Sequence, residues 1–359
     1  MLASAAAMAQ SGTFQIKGNV EGLPDSLVAM IGRKTENIEV KKKKFVYSKN
    51  FDKPQWVYLC DQKVIKSGAF SAIPVFAIPG ETIEMKGNFT EGADIKGGKF
   101  YQEQDLMNEY KGQAYKDIKA LWKWYSDNVN DSNRDSIEKV ADERMEPLQK
   151  KYAADLLAYA KQHSDQECIA LLIDDLDDVK DKETLISLMA DNVKNGRMKA
   201  YYEPIFERAK KRAEMEEKAK VVQASGVEAP DFTLNDINGK PFSLSSLRGK
   251  YVVIDFWGSW CIWCIKGMPK MKEYYEKYKG KFEILGVDCN DTEAKWKAAV
   301  EKHQLPWIHV YNPKGSDVLD KYAVQGFPTK IVVGPDGKIV KTIVGEDPAF
   351  YTLLDEVLK

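Results

Sequence analysis

Three patterns of apolar and polar positions succeed one another along the chain. Between residues 12 and 98 apolar and polar positions alternate in short runs: Thr13-Phe14-Gln15-Ile16-Lys17, Lys44-Phe45-Val46-Tyr47, Trp56-Val57-Tyr58-Leu59 and Thr82-Ile83-Glu84-Met85. A period of two puts alternate side chains on one face of a strand, and turn residues such as Pro79-Gly80-Glu81 separate the runs. The pattern predicts a small antiparallel β-sandwich or barrel over 12–98. From 99 to 223 glycine and proline become scarce. Apolar residues recur at helical spacing, as in Leu156, Leu157, Tyr159 and Ala160 and in Leu185, Ile186, Leu188 and Met189. Arg208 to Lys220 mixes both charge signs, as a solvated helix does. This segment is expected to be a helical spacer or support. From 224 to 359 strands and helices alternate. The strand Val252 to Trp257 is followed by a helix over 262–278, a strand over 282–287, a helix over 293–302 and a strand over 307–311. A hairpin pairs 329–333 with 338–343 around Pro335-Asp336-Gly337, and a helix closes the chain over 350–358. Such alternation implies an α/β sheet covered on both faces, and the chain as a whole reads as a multidomain α+β protein.

Composition narrows the function classes. A hydrophobic fraction of 44% and a charged fraction of 30% are those of a globular chain, not a disordered one. The formal charge of −1 lacks the basic surplus of a nucleic-acid binder. Five cysteines in 359 residues are too few to build a disulfide scaffold. No run approaches the ~20 apolar residues of a membrane-spanning helix. At the start of the chain, Ala7-Met8-Ala9 before Gln10 fits the small-x-small pattern of a signal-peptide cleavage site. Residues 1–11 are therefore expected to be the remnant of an export signal. The first cysteine is Cys60, so export without a lipid anchor is expected.

The chemistry concentrates in Trp260-Cys261-Ile262-Trp263-Cys264, directly after a strand and opening a helix. Two thiols three positions apart at a helix start can close a disulfide with little backbone movement. The unpaired amides of the helix end put partial positive charge beside the first sulfur and favour its thiolate. Cys261 has the position of an attacking nucleophile, and Cys264, one turn in, that of a resolving thiol. A structural zinc site would need a second ligand pair, which Cys60, Cys168, Cys289, His163, His303 and His309 do not form by spacing. A c-type haem would need histidine where Ile265 stands. Inert packing of the two cysteines is the remaining alternative. Asp174-Asp175-Leu176-Asp177-Asp178 invites a calcium reading, but Leu176 and Val179 break the order of ligands an EF-hand requires. Asp255 lies six positions before Cys261 in an otherwise apolar strand, where a carboxylate is costly to bury. Cys289, after the strand ending at Asp288, is a candidate third redox thiol.

Residues 229–359 resemble a thioredoxin-fold module of the TlpA/ResA type, the envelope thiol–disulfide oxidoreductases. The resemblance runs through Ala229-Pro230-Asp231-Phe232, Asp255-Phe256-Trp257, the Trp-Cys-x-x-Cys segment, Pro269 and Gly326-Phe327-Pro328-Thr329. Residues 12–98 more weakly resemble a β-domain that precedes such modules in some Gram-negative envelope proteins. The resemblance implies a thioredoxin-like α/β/α domain over 224–359, with Pro328 as a cis-proline facing the disulfide and Phe327 and Thr329 lining a substrate groove. It implies that Asp255 relays a proton at Cys264, and that Trp257 and Trp260 wall the sulfurs off from water. The departures are informative. Ile262-Trp263 stands where relatives commonly carry Gly-Pro or Glu-Pro, and Trp263 is expected to narrow the range of partners. Gly267 stands where some relatives place a glutamate, so proton handling is expected to rest on Asp255 alone.

These features together predict a periplasmic protein disulfide reductase that uses the Cys261–Cys264 pair through a mixed disulfide, with no bound cofactor. Its expected partners are disulfide-bearing proteins and a membrane-embedded thiol electron donor; neither nucleic acid nor metal is expected. An isomerase or oxidase is the alternative within the class. The alternative from another class is an envelope binding protein with an accessory redox module. A peroxidase is disfavoured, since no Pro-x-x-x-Thr-x-x-Cys arrangement surrounds Cys261.

Overall fold

The computed structural model describes residues 11–67, 71–130 and 132–359. The expected cleavage site, Ala7-Met8-Ala9, lies outside the described residues. The chain divides into two compact units, with the boundary between Lys210 and Lys211.

The first unit begins with eight strands: β1 (Gly12–Glu21), β2 (Leu27–Ile31), β3 (Lys34–Asn37), β4 (Lys44–Phe51), β5 (Gln55–Asp61), β6 (Ala72–Ala77), β7 (Thr82–Asn88) and β8 (Gly92–Lys96). A short helix, α1 (Gln62–Lys66), follows β5. The strands form two four-stranded sheets, ordered β4-β1-β7-β8 and β3-β2-β5-β6. The alternation in the sequence sets which side chains turn inward. Phe14, Ile16 and Val20 of β1 are buried while Lys17 and Asn19 are exposed. Gly18 sits opposite Phe45 in the β1/β4 register, and any Cβ there would overlap the Phe45 ring. A bare backbone is what lets that ring lie flat across the strand. The parallel pairing of β1 with β7 joins segments some 65 residues apart, with Gln15 opposite Thr82.

The helices α2 (Lys99–Ala114), α3 (Lys116–Asn128), α4 (Arg134–Gln162), α5 (Val179–Leu188), α6 (Asp191–Lys194) and α7 (Lys199–Val222) follow. A 3₁₀ segment, Glu167–Asp174, buried from Cys168 to Ile173, lies between α4 and α5. The helices share one apolar core with the sheets: Phe100, Tyr101, Leu156, Leu172 and Tyr202 join Phe14, Leu59 and Phe76 in a single cluster. The aspartate-rich run is divided among structural tasks. Asp174 accepts from Trp56 and Tyr201, Asp175 pairs with Lys111, and Asp178 caps α5 by accepting from the Lys180 N–H.

The second unit is a seven-stranded sheet, ordered β10-β9-β13-β12-β11-β14-β15. Its strands are β9 (Thr233–Asp236), β10 (Pro241–Ser243), β11 (Tyr251–Trp257), β12 (Phe282–Cys289), β13 (Ile308–Asn312), β14 (Thr329–Val333) and β15 (Ile339–Val344). Its helices are α8 (Ile262–Lys277), α9 (Glu293–His303), α10 (Val318–Lys321) and α11 (Ala349–Val357). β11, β12 and β13 run parallel, while β14 is antiparallel to both β11 and β15. Both faces of the sheet are covered. Val253, Trp257, Ile284 and Val332 pack with α8, α9 and α11 on one side. Val252, Ile254, Phe256 and Ile331 pack with Phe232, Leu244 and Tyr322 on the other. Since β11 alternates faces, Asp255 shares the α8 side with Val253 and Trp257.

Candidate functional site

The buried strand β11 ends at Trp257, and a short turn delivers Cys261 to the start of α8 as its N-cap residue. Cys261 and Cys264 are joined in a disulfide with a Cα–Cα distance of 5.3 Å. The Cys264 N–H also points at Cys261 Sγ, 3.2 Å away. The first sulfur therefore occupies the place where a capping oxygen accepts from the orphan amides of a helix start. In the reduced state the same amide and the helix dipole favour a thiolate at Cys261. The loop itself is pinned by Asp291, which accepts from Ser259 N–H at 2.6 Å and from the Ser259 hydroxyl at 2.8 Å.

The two cysteines are only 5% and 4% exposed, yet the side chains beside them are open: Trp260 at 52%, Ile262 at 62% and Trp263 at 58%. Trp260 is not loose, since its indole N–H donates to the Cys289 carbonyl at 3.0 Å and its ring meets the Phe327 ring edge-on at 5.3 Å. Lys266 Nζ sits 4.5 Å from the Trp263 ring centroid. The Phe327–Pro328 peptide bond is cis. Thr329, expected along the groove, is buried and donates its hydroxyl to the Gly326 carbonyl at 2.7 Å. Its side chain thus orders the turn around the cis-proline instead of facing solvent.

Asp255 is buried beneath α8, and its Oδ1 makes no hydrogen bond. Burial pushes its carboxyl up to about 6; the Lys330 charge opposes that shift and the Glu346 charge reinforces it. A carboxyl that titrates near neutrality can both accept and release a proton. Cys289 is fully buried, with its thiol toward the Val287 carbonyl at 3.3 Å, and burial together with the Asp288 and Asp255 charges pushes its pKa up. A buried thiol held in its neutral form has the chemistry of packing, not attack. Cys60 and Cys168 are likewise buried, with pKa values raised by burial. Among the described residues no three His, Cys, Asp or Glu side chains converge as a metal site would need.

Other residues of the site had no motif to announce them. Lys330 is 1% exposed, stands opposite Asp255 in the β11/β14 register and pairs with Glu346 at 2.8 Å. Asp288, opposite Trp257, is fully buried and pushed up to about 8 by burial and by Asp291 beside it. A lysine in the run Thr329 to Val333 is as anomalous as an aspartate in Val252 to Trp257. That shared anomaly is the one sequence signal that could have found Lys330.

Residues 225–342 match the AhpC/TSA family. The chain is 42% identical over 122 residues to the thiol-disulfide oxidoreductase ResA of Bacillus cereus, covering 34% of this chain and 70% of that protein. It is 35% identical over 123 residues to ResA of Bacillus subtilis, covering 34% and 68%. Among solved structures, the thioredoxin domain of a thiol-disulfide oxidoreductase from Bacteroides vulgatus is 37% identical, with 38% of this chain and 99% of that chain covered and a TM-score of 0.36. No helix among the described residues is long and apolar enough to cross a membrane. Through its C-terminal thioredoxin-like domain, the chain belongs to the ResA family of thiol–disulfide oxidoreductases and is an enzyme of that class.

Proposed function

We propose that this enzyme is a periplasmic protein-disulfide reductase. The Cys261 thiolate attacks one sulfur of a substrate disulfide. That disulfide breaks, its second sulfur leaves as a thiolate that takes a proton from water, and Cys261 is held in a mixed disulfide. Cys264 then passes its proton to Asp255 and attacks Cys261 Sγ. The mixed disulfide breaks, the substrate departs fully reduced, and the Cys261–Cys264 bond closes. Two electrons have moved from the pair to the substrate, and an external dithiol, assigned to a membrane-embedded donor, restores the pair.

The observation that carries this reading is the place of Cys261 Sγ at the N-cap, accepting the Cys264 N–H within bonding reach of its partner sulfur. Trp260, Trp263, Phe327 and cis-Pro328, with Thr329 ordering the turn, form the surface assigned to an extended substrate segment. Backbone groups flanking the proline suit a short β-augmentation. The cleavage-site pattern at Ala7-Met8-Ala9 supports export. The two four-stranded sheets of the first unit are read as the halves of a β-sandwich. Insulin reduction with a dithiol regenerant tests the assignment: Cys261→Ser should abolish turnover, and retained turnover would refute it. Refolding of scrambled substrates, without net reduction, would instead favour the isomerase alternative.

A further inference from the structure

Asp255 does not stand alone under α8. Its register partner on β14 is Lys330, and both side chains belong to the sheet face that α8 and α11 cover. Lys330 Nζ lies 2.8 Å from Glu346 Oε2 in the turn after β15, and the Tyr351 hydroxyl of α11 donates to Glu346 Oε1 at 2.9 Å. The same hydroxyl lies 3.5 Å from the Gly267 carbonyl. A Cβ built on Gly267 would fall on the Glu346 carboxylate, 2.6 Å from Oε1 and closer still to Oε2. Gly267 is three residues after Cys264, on the same side of the helix. The carboxylate from a distant turn therefore fills the space that a side chain of α8 would take.

We propose that Lys330 and Glu346 are opposed positioning charges on Asp255, Lys330 drawing it toward the carboxylate and Glu346 toward the acid, so that this pair sets the pH at which Asp255 can take the Cys264 proton. The proposal rests on Asp255 serving as that proton acceptor. The groups facing Asp255 are Lys330 on β14, Glu346 after β15, Tyr351 on α11 and Cys264 on α8, while Cys289 at the end of β12 lies on the opposite face of the sheet. Of these, Lys330 and Glu346 are the two members of an ion pair, and the others are a phenol and a thiol. The two effects oppose each other because the lysine is shared: neutralising Glu346 frees Lys330 for Asp255, whereas neutralising Lys330 leaves two carboxylates facing one another.

The experiment uses the reduced full-length chain and dithiobis-nitrobenzoate. Cys261 attacks the aromatic disulfide and releases one chromophore; the second chromophore leaves when Cys264 resolves the mixed disulfide, so the second phase reads Cys264 alone. Its acid limb is expected to move down by about one pH unit in Glu346→Gln and up by a similar amount in Lys330→Met. The double variant should return close to the parent, and Glu346→Asp should stay there. A limb unmoved in Glu346→Gln, or moved the same way by both single variants, overturns the proposal. If Lys330→Met does not fold, Glu346→Gln against Glu346→Asp decides alone. Asp255→Asn separates the two levels. If that variant keeps the limb, the relay reading fails; if it loses the limb while Glu346→Gln leaves it in place, only the charge-pair proposal fails.

Discussion

The Cys264 N–H lies 3.2 Å from Cys261 Sγ, so the amide of the second cysteine solvates the sulfur of the first. The reduced enzyme should therefore show one acidic thiol. Iodoacetamide should label Cys261 near neutrality, with a midpoint below the ordinary ~8.5 of a free cysteine, and Cys264 only at higher pH. Cys60, Cys168 and Cys289 are buried and should stay unlabelled until the protein unfolds. Mass spectrometry of the labelled peptides checks all five positions. In Cys264→Ser the attack survives and resolution does not, so mixed disulfides should accumulate.

Asp255 also ties stability to pH. Its folded pKa of about 6 lies above the ~3.9 of an unfolded aspartate, so the folded state binds the proton more tightly. The contribution is full below about pH 4 and is lost as pH rises through about 6, amounting to about 2–3 kcal/mol. Asp255→Asn should be more stable than the parent at pH 7 and should flatten the stability profile between pH 4 and 6. Urea unfolding of the oxidised protein across that range measures it. Equal midpoints at pH 7 would contradict the buried, unpaired carboxylate.

Trp263 is exposed and rests against Lys266, so its ring contributes little to folding. Trp263→Ala should change stability by no more than about 0.5 kcal/mol. Its kcat/KM toward a protein disulfide should fall about tenfold, as removal of an aromatic anchor does. The rate with dithiobis-nitrobenzoate, too small to span the surface, should hold. Parallel assays on the two substrates separate a recognition effect from a chemical one.

Two helical glycines should respond differently to alanine. At Gly112, in α2, a Cβ meets nothing within 4 Å, and the helix-propensity gain of about 0.5–1 kcal/mol should appear in full. At Gly267 the Cβ would displace a carboxylate held by Lys330 and Tyr351. The same gain should be cancelled or reversed there. Denaturant midpoints of the two variants make the comparison.

What the sequence discloses here is what short stretches of chain determine. The helix beginning at Ile262, the strand ending at Trp257 and the hairpin around Pro335-Asp336-Gly337 follow from periodicity and turn chemistry within a dozen residues. The cysteine pair is visible for the same reason. Lys330 and Glu346 are not, because their relation to Asp255 is created by the β11/β14 register and by a turn some 90 residues downstream. Nor does local alternation reveal that β1 pairs in parallel with β7, or that Cys168 to Ile173 is a buried 3₁₀ turn and not part of a longer helix. A glycine is silent in sequence about what fills the space beside it. At Gly267 the occupant is Glu346.

The recessed sulfurs have a consequence for what the enzyme can act upon. With about a twentieth of its surface open beneath a rim of bulky rings, Cys261 admits a crosslink only when it protrudes on a bare, pliable stretch of polypeptide. Bridges lying flush with a compact surface are shut out by shape, whatever their potential. Under the proposed reductase reading, selection of this kind would spare mature, well-folded neighbours and direct reducing power to chains still open.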